Sequence, residues 1–435
     1  MNMAVCSVPG QFIKNSDELG VTEQRRLVLS AAEHGLRRVH PCNTVPGALK
    51  RLRRILDNRP IYVAGLGKAA YTMAQAVLST IPKRVEAGLV VTPRGFPLSL
   101  GPIEVYHSDH PLPSRRSVEA AEKLIEFLQA VPPSAALLFL VSGGGSALVE
   151  KPCTSSIEEV AELTKELMKR GANIYELNTV RSILSCTKAG GLLSYTRVDT
   201  LVNLVMSDVV GDNLCYIASG PTIPWCRPVL AEAENILRQY GLSEYIPLLR
   251  RAAEKRPAPK QGIRVENKII ARNRDVLEAA KDYLVSRGYR ASILTSRMRG
   301  EARQVAGLVA GIAEELGEKE AVLLGGETTV TVRGRGVGGR NQELCLAVLG
   351  ATTSLGEEPG YTALCMGTDG VDGTSPVAGA ILDNIVAREA ARKGLSIARH
   401  LDDNNSYGFF SAIRSAINTG GYTGINVNDI VIILH

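Results

Sequence analysis

Residues 135–141 form an unbroken apolar run, Ala-Ala-Leu-Leu-Phe-Leu-Val, that stops at Ser142-Gly143-Gly144-Gly145-Ser146 and resumes as Ala147-Leu148. A short apolar run without alternation, bounded by turn residues, fits a strand buried on both faces. Three successive glycines cost backbone entropy, and a chain keeps them where a positive φ or bare N–H groups facing a ligand are required. The stretch predicts a buried strand, a glycine loop and a helix capped by Ser146. The loop reads either as an anion cradle or as a tight strand-to-helix turn, since neither the P-loop nor the dinucleotide fingerprint is present in it.

The same grammar recurs. Ile61 to Ala64 predicts a strand that ends in Gly65-Leu66-Gly67-Lys68-Ala69-Ala70, with Tyr71, Met73, Ala74, Val77 and Leu78 as the buried face of the next helix. Gly65, Gly67 and Ala70 satisfy the loose dinucleotide pattern G-x-G-x-x-A. The following strand, Ala87 to Val91, ends at Thr92-Pro93-Arg94, so the acid expected on a ribose hydroxyl is missing. Arg94 facing the extra phosphate of NADP keeps a dehydrogenase open. Lys68 is the sharper signal: a lysine at a helix start opposes the macrodipole by about 0.3–1 kcal/mol unless an anion sits nearby. A surface lysine with a snorkelling stem is the bland alternative.

Between these strands, His107 to Pro113 predicts a polar, proline-pinned loop that carries His110. Asn178, Arg181 and Ser185, spaced three and four apart, predict one polar helix face, with Lys188 beyond it. Asp208 and Asp212 follow the apolar strand Leu201 to Met206, where open α/β sheets bind ligands. Arg256 to Gly262 reads as a linker and as the domain boundary. Beyond it Asn273 is expected to cap a helix, and Gly334 to Gly339 deliver Arg340-Asn341-Gln342-Glu343 onto another. Arg340 repeats the logic of Lys68, with a structural ion pair as its alternative. Asp369 and Asp372 lie on a glycine-broken loop after the strand Thr362 to Met366, and Ala378-Gly379-Ala380 is expected to start a helix. Ile430 to Leu434 predicts a buried closing strand.

A chain of 435 residues implies two domains, and 45% hydrophobic with 22% charged residues is ordinary globular composition. The formal charge of +6 comes without any block of like charges, which argues against nucleic-acid and membrane partners. Eight scattered cysteines lack metal-ligand spacing and are expected as buried thiols in a reducing cytosol. With no apolar run of membrane-spanning length and no leader pattern, a soluble cytoplasmic protein is expected.

Taken together, Gly65-Leu66-Gly67-Lys68-Ala69, His110-Pro111-Leu112-Pro113, Ser142 to Ala147, Ser207 to Asp212, Ser219-Gly220-Pro221-Thr222, Gly338 to Glu343 and Gly367 to Gly373 resemble the class II glycerate kinases, whose C-terminal domain is called MOFRL. The resemblance spans nearly the whole chain. It implies an α/β fold with a Rossmann-like αβα N-terminal domain over residues 1–256 plus a returning strand at 425–435. It also implies a smaller MOFRL domain over 263–424 and an interdomain cleft. The implied activity is ATP- and Mg2+-dependent phosphorylation of D-glycerate, typically to 2-phosphoglycerate, a step of Entner-Doudoroff-type sugar breakdown in archaeal members. An NAD(P)H-dependent hydroxypyruvate reductase is the alternative enzyme, and a non-catalytic sugar-acid or nucleotide binding protein a third reading.

By motif position Lys68 and Arg340 correspond to the family's proposed catalytic pair. Candidate substrate or nucleotide contacts are Gly65, Gly67, Ser142, Gly143, Gly144, Gly145, Ser146, Asn178, Arg181, Lys188, Asn341 and Glu343, with Asp208 and Asp369 as candidate Mg2+ ligands. The expected partners are small molecules, D-glycerate and ATP, with a homodimer left open. Trp225 stands where the family commonly has Asp, and Thr374-Ser375-Pro376-Val377 replaces a usual Pro-Thr-Asp-Ala.

Overall fold

The structure is a computed structural model that describes residues 6–56, 58–226, 228–258 and 262–435. The chain divides into two compact units, one spanning Thr44–Ile270 and the other joining Val8–Asn43 to Ala271–His435.

In the first unit seven strands form one sheet: β1 (Ile61–Leu66), β2 (Val85–Thr92), β3 (Ser99–Leu100), β4 (Ile103–His107), β5 (Ala136–Val141), β6 (Thr200–Met206) and β7 (Arg264–Ala271). Their order is β3-β4-β2-β1-β5-β6-β7. The pairs β4–β2, β2–β1, β1–β5 and β5–β6 are parallel. Every residue of β5 and β6 is buried, as the unalternating apolar sequence of β5 demands. On β5, Leu137, Phe139 and Val141 pack with Ala120, Leu124 and Leu128 of the helix Arg115–Ala130. Leu138 and Leu140 point to the opposite face and are equally inaccessible, so the sheet is covered on both sides. Because β1 has β2 on one side and β5 on the other, the strand order reverses between β1 and β5. Their carboxyl ends flank the switch point at which open α/β sheets bind ligands.

The second unit holds β8 (Arg290–Glu301), β9 (Glu320–Thr329), β10 (Thr362–Gly367), β11 (Gly379–Leu382), β12 (Ala416–Ile417) and β13 (Asp429–Leu434), in the order β12-β11-β10-β13-β9-β8. Only β8 and β9 are parallel among the register pairs. The helix Glu23–Val39 belongs to this unit. It packs on the helix Asn273–Ser286, and its Arg25 makes a buried two-pronged ion pair with Asp383 at 2.6 and 2.8 Å.

Several expectations are corrected. The closing strand β13 does not return to the first sheet; it lies between β10 and β9 in the second. Its apolar sequence fixed burial, while pairing partners far away in sequence fixed the sheet. The boundary falls after Ile270, because β7 completes the first sheet, and residues 8–43 join the second unit. Pro259, Lys260 and Gln261 of the expected linker lie outside the described residues. Arg256 is anchored, donating to the carbonyls of Ser185 (3.0 Å) and Ala189 (2.8 Å). Its Pro-rich surroundings mark a break in secondary structure rather than between domains.

Gly379 and Ala380 open the strand β11 instead of a helix. Asn273 is the first residue of its helix, and its amide donates to the carbonyls of Val427 and Asp429, each at 2.9 Å. Cysteine pairing also departs from expectation: Cys153–Cys186 and Cys215–Cys226 are disulfides, whereas Cys345 and Cys365 are buried free thiols. Spacings of 33 and 11 residues carry no pairing signal; the bridges arise because folding brings those Cα atoms within 5.2 and 5.3 Å. Among the described residues no helix is long and apolar enough to cross a membrane.

Candidate active site

The two glycine loops of the first unit are knitted together at the switch point. Ser142 N–H donates to the Leu66 carbonyl (3.1 Å), Lys68 N–H to the Gly143 carbonyl (2.9 Å), and Ala69 N–H to the Ser142 hydroxyl (3.0 Å). Gly67 has φ +121°, and a Cβ there would stand 2.2 Å from Ser142 Oγ, so only glycine permits this approach. Lys68 thus precedes the helix Ala70–Thr80 and its N-cap Ala69, on a turn fixed by the neighbouring loop. Gly65 lies within β1 itself, and Gly143 is buried in the loop.

Gly144 has φ +82°, and the short helix Gly145–Leu148 starts after it. This corrects the expected Ser146 cap: Ser146 lies within that helix, and its hydroxyl shares a 2.7 Å hydrogen bond with the Ser219 hydroxyl. A Cβ on Gly144 would meet His110 Cδ2 at 3.0 Å, His110 Nε2 at 3.2 Å and Lys68 Cγ at 3.3 Å. His110 and Lys68 therefore share the bare backbone of one glycine. His110 is absent from the candidate set drawn from sequence, although its loop carried a signal in the run His110-Pro111-Leu112-Pro113.

Lys188, expected as a ligand contact, stands in the interior. It is fully buried and ion-paired with Glu150, also buried. Burial pulls its ammonium down to about 8, with Glu150 opposing the shift and Arg181 adding to it. Asn178 and Arg181 are half-buried on the helix Ile174–Leu184, whereas Ser185 lies beyond its end in extended backbone.

In the second unit Arg340 opens the helix Arg340–Thr353. Its Nε and Nη2 donate to Asp429 at 2.6 and 3.0 Å, and its Nη1 to Glu327 at 2.7 Å. The anion that sequence reasoning left to a ligand is thus supplied by two carboxylates of the protein. Burial alone would weaken the charge, but Asp429 and then Glu327 outweigh it and hold the guanidinium more firmly protonated than usual. A third of the Arg340 side chain remains accessible.

Asn341 and Glu343, expected as ligand contacts, are buried and bonded to other side chains of the protein. The Asn341 amide bonds Asp372 at 3.1 Å, and Glu343 pairs with Arg303 at 2.6 Å. Asp372 also accepts the N–H groups of Asn341 (3.1 Å) and Gln342 (2.9 Å), so it caps this helix from another loop. Burial raises its carboxyl above the ordinary value, against those donors. Asp369 accepts from Val371 N–H at 3.2 Å.

Asp208 lies immediately past Ser207 at the end of β6, half-buried. Among the described residues no group of three or more His, Cys, Asp or Glu is arranged to hold a metal. Single carboxylates fit Mg2+ of the kind shared with nucleotide phosphates, which needs only one or two protein oxygens.

A doubly wound sheet with a lysine between two interlocked glycine loops, joined to a second α/β unit, defines a ligand-binding α/β protein of the anion-handling class. Residues 27–253 match the family described as a domain of unknown function (DUF4147), and residues 320–429 match the MOFRL family. The chain is 36% identical to D-glycerate 2-kinase of Thermotoga maritima, over 94% of this chain and 97% of that one. It is 35% identical to a putative hydroxypyruvate reductase of Agrobacterium vitis, over 86% of each. The crystal structure of glycerate kinase from Thermotoga maritima superposes with a TM-score of 0.80 at 33% identity, covering 94% of this chain and 98% of that chain. The chain belongs to the MOFRL-type glycerate kinase family.

Proposed function

We propose that the protein transfers the γ-phosphoryl group of ATP to the 2-hydroxyl of D-glycerate, giving 2-phospho-D-glycerate and ADP. The observation that carries this reading is the convergence of Lys68, His110 and Gly144 at the switch point of the first sheet. Phosphoryl transfer asks a protein mainly to position two substrates and to neutralise charge on the migrating group. Lys68, held by its backbone to the glycine loop, supplies a cation that costs no reorganisation during reaction. Arg340, oriented by Asp429 and Glu327, supplies a second.

The glycerate oxygen bonds to the γ-phosphorus as the bond from phosphorus to the bridging oxygen of ADP breaks. The hydroxyl proton passes to His110, the residue at this site whose ordinary chemistry suits a base. Asp208 or Asp369, together with nucleotide oxygens, would hold Mg2+. When bound, the ion neutralises phosphate charge and orients the polyphosphate.

Incubation with D-glycerate, ATP and magnesium, followed by phosphorus NMR, tests the reading. A 2-phosphoglycerate signal supports it, and a 3-phosphoglycerate signal keeps the kinase but moves the acceptor. With no new signal, oxidation of NADH or NADPH by hydroxypyruvate would make the reductase the better account. Light scattering on the same preparation checks the homodimer.

A further inference from the structure

At the other end of the first sheet, where β1 and β2 begin, lies a cavity of about 470 Å³. Its walls carry Lys50, Arg53, Arg59 and Arg84 over an apolar floor that includes Leu49 and Ile81. No carboxylate lines it among the described residues.

Two of the cations are fixed in place. Arg84 donates to the carbonyls of Leu56 and, at 3.3 Å, Arg59, while the Arg59 guanidinium is ion-paired with Asp199. Lys50 and Arg53 are exposed on one face of the helix Pro41–Leu56, three residues apart, and neither is ion-paired with another of the described residues. The negative end of that helix accounts for Arg53 in its last turn. Arg84 reaches the same end through the Leu56 carbonyl, and Asp199 offsets Arg59, which leaves Lys50 without a counter-charge among the described residues. One carboxylate and the end of one helix do not balance four cations, and an anion in the cavity would lower the repulsion that remains.

The volume is that of a small-molecule site rather than a macromolecular surface. Planar guanidinium groups suit phosphate oxygens, and the apolar floor suits an organic body. β1, six residues and roughly 20 Å long, separates the cavity from Lys68. We propose that this cavity is a second anion site, which binds a small phosphorylated compound of nucleotide size or less, apart from the transfer chemistry. The inference does not depend on the kinase reading.

Calorimetric titration with inorganic tripolyphosphate tests it, on the full chain with its catalytic site saturated by D-glycerate and a non-hydrolysable ATP analogue. The expected result is one binding event in the native protein that weakens at least tenfold in Lys50→Ala/Arg53→Ala, with kcat and KM unchanged. Both positions are solvent-exposed, so the variant should fold; its unchanged turnover verifies that. Identical isotherms in the two proteins, or no heat in the native one, would overturn the proposal. A competition arm with AMP separates the sources. Displacement of tripolyphosphate supports a nucleotide, and tripolyphosphate binding that AMP leaves untouched supports a site for phosphate groups alone.

Discussion

The backbone N–H of Lys68 donates to the carbonyl of Gly143 at 2.9 Å, and this bond ties the lysine-bearing turn after β1 to the glycine loop after β5. Position and charge at residue 68 are therefore separable: the main chain fixes where the side chain starts, and the ammonium supplies the charge. Lys68→Ala is expected to lower kcat by about two to three powers of ten, the usual cost of removing a preorganised charge partner. Its melting temperature should stay within a degree or two of the native value. An ADP-release assay beside a thermal melt checks both halves.

Arg340 behaves differently, because its removal leaves Asp429 buried and without its strongest partner. Breaking a fully buried pair costs about 3–5 kcal/mol, and the one-third exposure of Arg340 reduces that. Arg340→Ala is expected to lose turnover and also to unfold at lower denaturant. Arg340→Lys should recover part of the stability but little of the rate, since an ammonium cannot reproduce the two-pronged contact. Denaturant midpoints and kcat measured on the same two proteins decide it.

His110 shares the Gly144 backbone with Lys68 and is half-buried there. His110→Asn is expected to reduce kcat by roughly 10²–10⁴ while KM for ATP changes little, as for loss of a proton acceptor. A profile of kcat against pH that is unaltered by the substitution would count against that role.

The buried pair of Lys188 and Glu150 gives a prediction about stability alone. Lys188→Met strands a carboxylate in the interior and should cost about 3–5 kcal/mol. Lys188→Met/Glu150→Leu should recover most of it, because apolar groups of similar size replace both charges. A double-mutant cycle in denaturant reads the difference.

His40 supplies a pH dependence. Burial, with the neighbouring Arg37, pushes its imidazole down to about 4 from an ordinary 6.5. The unfolded chain therefore binds a proton that the folded chain refuses between those values. The contribution is fully present above pH 6.5 and is lost as pH falls toward 4, by on the order of 3 kcal/mol. Melting temperatures from pH 7 to pH 4 should fall steeply in the native protein and less steeply in His40→Asn.

Much of the local architecture was legible in the chain. Apolar runs gave β1, β5, β6 and β13, and the glycine-led Arg340 segment gave the start of Arg340–Thr353, because burial pattern and turn chemistry are local properties. The glycine motifs located both loops of the candidate site and drew attention to Lys68. His110 was visible in its motif yet outweighed, since a loop histidine gives no local sign of what it faces.

What the sequence determined by itself, then, was which segments are buried and where the backbone needs glycine. Only the tertiary structure decided which sheet receives β13, which cysteines meet, and which carboxylates stand against Arg340. Asp429 lies 89 residues from Arg340. Asn341 bonds Asp372 from 31 residues away, and Lys188 finds Glu150 across 38. Such pairings follow from strand register and loop closure, which depend on the whole chain at once. Hydrophobic pattern and turn chemistry are set within a few residues, and that difference in range divides what could be read from what had to be folded.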